Sequence, residues 1–339
     1  MPNTKGIRPS VLKAECMPFL LVVCIFSACN ETMQAQQKGQ WQPGQFGLNA
    51  GVIPSPGITY AQMPLNYSAS QLNGPAGNPV AGVTGTYSIW ADENIIYYVP
   101  KAKVLGGYFM PYIALTYATG SLVAEIPGTN LSAGAGGSGF ADMFVQPVNL
   151  GWHLKRADVN VGYAFTAPTG RYTAGASNNV GSGYWGNDIT SGTTFYITKD
   201  KGTSANLATA WEIHGQKSGT NETPGQTFTD EWGLGQVLPL KKDFSQLLQV
   251  GVVGYDQFQV TANGGTVLVA GIPVAASNIP AYSVHGVGGQ LNYILTPQNL
   301  VFFFKGYDEY RALARVEGQT FVFGGSWTWG FPKARTTKP

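Results

Sequence analysis

The sequence predicts an all-β fold: a transmembrane, antiparallel, up-and-down β-barrel of about twelve strands behind an N-terminal signal peptide. Three observations predict it. The first is composition. Of 339 residues, 45 are Gly and 21 are Pro, 12% are aromatic and only 11% are charged, against roughly 7% Gly and 25% charge in average soluble domains. Gly and Pro are the poorest helix formers, which excludes a helix-rich enzyme. The apolar and aromatic content excludes a disordered chain. Second, segment after segment from Gly57 onward alternates apolar with small or polar residues, the period of a half-buried strand. Third, the connections fall into two classes that alternate along the chain. A formal net charge of +2 calls for neither nucleic acid nor an acidic partner.

In chain order, residues 1–35 read as a secretory leader. Lys5, Arg8 and Lys13 make a basic start, and the run FLLVVCIF at 19–26 is a short apolar core. That core is far below the about 20 residues a spanning helix needs. A cut after Ala35 fits Met33-Gln34-Ala35. Phe26-Ser27-Ala28-Cys29 also resembles a bacterial lipobox, with Phe where Leu is usual, so lipidation of Cys29 stays open. Cys16, Cys24 and Cys29 are the only cysteines, so the body of the chain has no disulfide framework and no Cys-based metal site. Residues 36–57 follow as a periplasmic segment that could enter the lumen as a plug.

Residues 58–331 carry the strands. The clearest is Thr320–Phe331, with Phe321, Phe323, Trp327, Trp329 and Phe331 on one face and small or polar residues on the other. Val159–Ala167 and Ala205–Gln216 repeat the pattern. Short, mostly basic connections lie at 100–103, 155–158, 199–202, 241–243 and 296–299. Longer ones, rich in Gly, Ser, Asn and Pro, lie at 70–82, 127–139, 168–183, 217–226 and 261–280. Outer-membrane barrels show this asymmetry, with short periplasmic turns and long extracellular loops. The tight last hairpin at Val316–Gly318 departs from it. Closure follows from the solvent, because lipid cannot hydrate the unpaired N–H and C=O groups of a sheet edge. The alternative, a secreted β-sandwich or propeller, needs neither aromatic strand ends nor two loop classes. The strand ending in Trp327, Trp329 and Phe331 should close the barrel against the first, near Gly57–Ser70. Pro332 cannot extend the ladder, so the basic stretch 332–339 reads as a periplasmic tail.

The motifs that could carry chemistry are weak. Gly134–Gly139 matches G-x-G-x-x-G, but no helix follows to face a pyrophosphate, so it reads as a loop. His153, His214 and His285 lack metal-ligand spacing, and neither a metal nor a cofactor is expected. Gly324-Gly325-Ser326-Trp327-Thr328 fails the G-x-S-x-G elbow at its last position. A Ser/His/Asp triad assembled across strands would be visible only as geometry, so an outer-membrane hydrolase stays open. Charges facing lipid cost about 2–4 kcal/mol near the midplane. With Phe302 and Phe304 facing lipid, Lys305, Tyr307, Glu309, Arg311 and Arg315 should therefore share the inner face and form ion pairs. By the same parity Asp92, Asn94, Asp188, Glu212, His214 and Glu231 face the lumen. So do Tyr108, Met110 and Tyr112, whose tyrosine rings offer a π-face and a polar tip to an aromatic solute. A plug of side chains that merely fills a narrow barrel accounts for the same residues.

Residues 47–60 (GLNAGVIPSPGITY) resemble the opening of the family of the MetA pathway of phenol degradation, bacterial outer-membrane barrels found with genes for aromatic catabolism. Gly139-Phe140-Ala141-Asp142 leading into 147–152 (PVNLGW), and 165–170 (FTAPTG), fit as well. The resemblance covers roughly 45–331. It implies an outer-membrane channel for hydrophobic or aromatic compounds, and not that the chain performs phenol chemistry. The resulting expectation is passive uptake of a small hydrophobic or aromatic solute, with no covalent step. The expected partners are outer-membrane lipid, the barrel-assembly machinery and that solute. A nonspecific or structural porin and a hydrolase are the alternatives.

Overall fold

The computed structural model describes residues 39–125, 132–269 and 272–330. The leader, Cys29, Phe331 and the tail 332–339 lie outside the described residues. Twelve antiparallel staves follow one another: β1 (Gly57–Leu72), β2 (Thr84–Val99), β3 (Tyr112–Glu125), β4 (Ser132–Phe140 continued by Met143–His153), β5 (Ala157–Ala167), β6 (Gly186–Tyr196), β7 (Thr203–His214), β8 (Thr227–Pro239), β9 (Gln246–Gln259), β10 (Ser283–Leu295), β11 (Leu300–Leu313) and β12 (Val316–Gly330). β12 returns to β1, from Gly57↔Gly330 to Leu72↔Val316, and the sheet closes on itself. The expected barrel is therefore the observed one. No helix among the described residues is long and apolar enough to cross a membrane. The strands are long enough to do so. β1 and β2 run 16 residues each, more than the about 9–11 tilted residues a span requires.

The two faces separate by chemistry. Phe302, Phe304, Phe321, Phe323, Trp327 and Trp329 all point outward and are exposed, while Lys305, Tyr307, Glu309, Thr320 and Val322 are buried inside. This is the alternation a lipid-facing barrel needs.

Four expectations need correction. Residues 132–140, read as part of a loop at 127–139, are the upper half of β4, paired with β3 from Tyr117↔Phe140 to Glu125↔Ser132. Their glycines admit a close neighbour: a Cβ on Gly137 would meet the Asn178 carbonyl oxygen at 2.7 Å. The connection after β5 lies over this stretch, where Gly136 N–H bonds Ser177 O at 2.9 Å and Arg171 bonds Ser138 O at 3.3 Å. The short turn at 100–103 is enlarged, since Lys103–Val104 and Gly107–Phe109 pair with each other and Tyr108 pairs with Gly151 of β4.

The other two corrections concern faces. Asp92 and Asn94 point outward, where Gln62 Nε2 donates to both Asp92 oxygens at 3.1 Å and Tyr60 OH donates to Asn94 at 2.5 Å. Carboxylates are the charges a lipid face tolerates best, and here the amide of Gln62 partly solvates one. Arg311 is exposed on the outside and does not share the inner face. A β-bulge is the cause. His285 faces Arg311 while Gly286 faces Glu309, so Tyr310 is the extra residue and the alternation inverts beyond it.

Residues 39–56 run inside the barrel. Leu48 packs in a core with Val253, Tyr255, Val284 and Tyr307, and Ile53 packs with Val99 and Met110. The approach to the wall is close enough to require glycine on both sides. A Cβ on Gly51 would meet Asp158 O at 2.0 Å, and one on Gly192 would meet Ala50 O at 2.1 Å.

Candidate functional site: the lumen beside an inserted segment

Segment 39–56 has little secondary structure, so its backbone groups need partners from the wall. The inward face of each strand supplies polar side chains at every second position, and those side chains meet the segment. Glu212 on β7 accepts the N–H of Gln40 at 2.5 Å and of Trp41 at 2.9 Å. Glu231 on β8 accepts the Trp41 indole N–H at 3.1 Å and the Phe46 N–H at 2.7 Å. Lys305 on β11 donates to the carbonyls of Gly44, at 3.2 Å, and of Gln45. Gln290, Asn206 and Thr194 each accept one further N–H, from Leu48, Asn49 and Gly51, at 3.0 Å. Glu212, Glu231 and Lys305 each engage two or more groups of the segment, so these three side chains dominate the attachment.

The remaining inward residues divide into two groups. Glu309 is saturated: it accepts Tyr67 OH at 2.8 Å, Tyr255 OH at 3.0 Å and Gly318 N–H at 2.8 Å, and pairs with Arg315 at 3.5 Å. His214 binds the Gly225 carbonyl at 2.8 Å through Nδ1, and its Nε2 lies 3.3 Å from Glu212. Asp188 sits directly across the ladder from Glu212, with its Oδ2 lacking a hydrogen-bond partner among the described residues. Tyr112 stands apart from this polar side, its ring 4.8 Å from that of Tyr97 and 5.7 Å from that of Phe144. Tyr108 lies at the end that carries the short turns, beside His153 and under Lys103.

Between the segment and the wall formed by β1–β3, β11 and β12 lies a cavity of about 130 Å³. Trp41, Leu65, Ile89, Ala118, Phe144 and Val180 make its apolar lining, and Glu93, Asp142, Glu309 and Arg315 are its charged members. Sequence parity missed Glu93, because Asp92-Glu93-Asn94 is polar at three consecutive positions and does not reveal which of them faces in. The ladder fixes it: Glu93 lies opposite Met63 and Thr116, both inward. Trp41 was also missed, since nothing in its neighbourhood marks a lumenal aromatic. Asp142 interrupts β4, accepting the N–H of Gly170 at 2.9 Å, the N–H of Ser182 at 2.7 Å and the Ser182 hydroxyl.

Ser182, Asp142, Glu212 and His214 are linked through Gln40, which donates to Ser182 Oγ at 2.5 Å. The Ser182 hydroxyl, however, is given to Asp142, and none of the three histidines hydrogen-bonds a serine in the described residues. No group of three or more His, Cys, Asp or Glu among the described residues is placed to hold a metal ion.

The model of a protein family described as "Putative MetA-pathway of phenol degradation" matches residues 69–331. Among similar solved structures is the COG4313 outer membrane channel from Pseudomonas putida F1, with a TM-score of 0.65 at 11% identity, covering 86% of this chain and 100% of that one. Another is the beta domain of the Bordetella autotransporter BrkA, with a TM-score of 0.50 at 10% identity, covering 81% of this chain and 100% of that one. At such identities the likeness is one of fold. No curated protein matches the sequence.

Proposed function

This chain belongs to the family of the putative MetA pathway of phenol degradation, and from that premise we propose that it admits small hydrophobic or aromatic solutes passively across the outer membrane. Its barrel is of the outer-membrane channel type and resides in that membrane. The observation that carries the reading is the cavity beside the inserted segment. It holds about 130 Å³, and an engineered apolar cavity of about 150 Å³ in another protein takes up benzene. Its apolar lining spares a ring the cost of contact with water. The segment 39–56 acts as a plug that narrows the lumen to this passage, which distinguishes the barrel from an open general porin. Assembly would proceed through the barrel-assembly machinery, with β12 as the closing strand.

Liposome swelling with a panel of aromatic acids, phenols and sugars tests the reading. Rapid entry of at least one aromatic class with exclusion of sugars of similar mass is expected. Equal entry of all would establish a nonspecific porin instead.

A further inference from the structure

Four charged side chains border the cavity: Glu93, Asp142, Glu309 and Arg315. Three are occupied by the protein itself. Asp142 takes up Gly170 and Ser182, and Glu309 and Arg315 hold each other within the cage of Tyr67 and Tyr255. Glu93 differs. Among the described residues its carboxylate makes no hydrogen bond and no ion pair within 4.0 Å. The Lys305 amine is engaged by the carbonyls of Gly44 and Gln45 and does not border the cavity. Glu93 also borders the adjoining recess with Met63, Leu65 and Val322. A carboxyl with no hydrogen-bond partner among the described residues, bordering the cavity with Leu65 and Ala91 as well as Gln42 and Gln45, is an acceptor for a donor that enters.

We propose that Glu93 selects the solute: the cavity takes a single aromatic ring carrying an O–H or N–H donor and turns away aromatic carboxylates. This rests on the channel reading above and adds a specificity-determining residue to it. Size limits the solute to about one ring, as the comparison with a benzene-binding cavity indicates. The acceptor rewards a donor on that ring. An aromatic carboxylate is turned away because it is an acceptor only: it brings a second acceptor against Glu93 and offers it no donor. A ring with no donor would shield Glu93 from water and offer nothing in return, so it ranks between the two.

Titration calorimetry on the purified barrel tests this, with phenol, aniline, toluene and benzoate as probes on wild type, Glu93→Gln and Glu93→Met. Heat-modifiable migration checks that each variant is folded. Wild type should bind phenol and aniline about 10-fold or more tighter than benzoate, the scale of one hydrogen bond to a buried acceptor left unmade. Glu93→Met should lose that preference. Glu93→Gln, which keeps an acceptor of the same shape and so keeps the comparison alive if Glu93→Met misfolds, should still bind phenol while admitting benzoate. Wild type that binds benzoate as well as phenol, or a preference that survives in Glu93→Met, overturns the role of Glu93. Swelling assays on the same preparations separate the two ideas. If rings pass but are not discriminated, the selectivity fails and the channel stands. If none binds or passes, the channel reading itself falls.

Discussion

Arg311 and Arg315 lie four residues apart near the same end of the barrel, yet one is exposed and the other almost wholly buried against Glu309, at 3.5 Å, and Gln257, at 3.4 Å. Removing one partner of a buried pair strands the other charge, at a cost of about 3–5 kcal/mol. Exposed substitutions away from such features usually stay within about 0.5 kcal/mol. Arg315→Ala should therefore lower the barrel's unfolding midpoint in urea markedly, whereas Arg311→Ala should leave it near wild type; equal midpoints for the two would contradict the burial described. The sequence allowed no such distinction. Asp308 breaks the alternation that runs from Phe302 to Glu309 and so marks a rim or a bulge nearby, but residue types do not say which position is the extra one, and on that the face of Arg311 depends. Asp92-Glu93-Asn94 was illegible for a related reason. Parity needs an apolar partner at alternate positions, and three polar residues in a row supply none.

At the scale of elements, the inserted segment is bound through its backbone more than through its side chains. Glu212, Glu231 and Lys305 reach peptide N–H and C=O groups of Gln40, Trp41, Phe46, Gly44 and Gln45. Backbone groups carry no residue signature. The sequence could therefore offer the segment as a candidate for the lumen but could not say which wall residues would hold it. The strands close among themselves, so a chain lacking residues 39–56 should still assemble into a heat-modifiable barrel. Its conductance in planar bilayers should rise several-fold as water replaces the segment. Glu231→Ala should move in the same direction by less, since it frees the Trp41 indole and the Phe46 N–H while Glu212 still holds Gln40 and Trp41. Unchanged conductance in the deletion would mean that the segment does not obstruct the path.

Closure belongs to the whole molecule, and it was the most legible property of all, because lipid allows a spanning sheet no edge. What the sequence left open was the register of the seam, which depends on the pairing of residues far apart in the chain. Ile58 faces Trp329, Thr59 faces Thr328 and Tyr60 faces Trp327, with the two threonine hydroxyls 2.8 Å apart inside the barrel. Directly opposed residues of antiparallel strands have Cα atoms about 4.5–5.5 Å apart, within the range of about 4.4–6.8 Å that a disulfide spans. The double variant Thr59→Cys and Thr328→Cys should therefore cross-link the first strand to the last in the oxidising periplasm. Linked near both ends, the denatured chain becomes a loop of altered gel mobility, and reduction should restore the ordinary band. Each single variant should show no such shift. A partner moved by one residue, Thr59→Cys with Trp329→Cys, should fail to link, because its second sulfur points into the lipid. Cross-linking of that shifted pair in place of the first would show that the barrel closes in a different register.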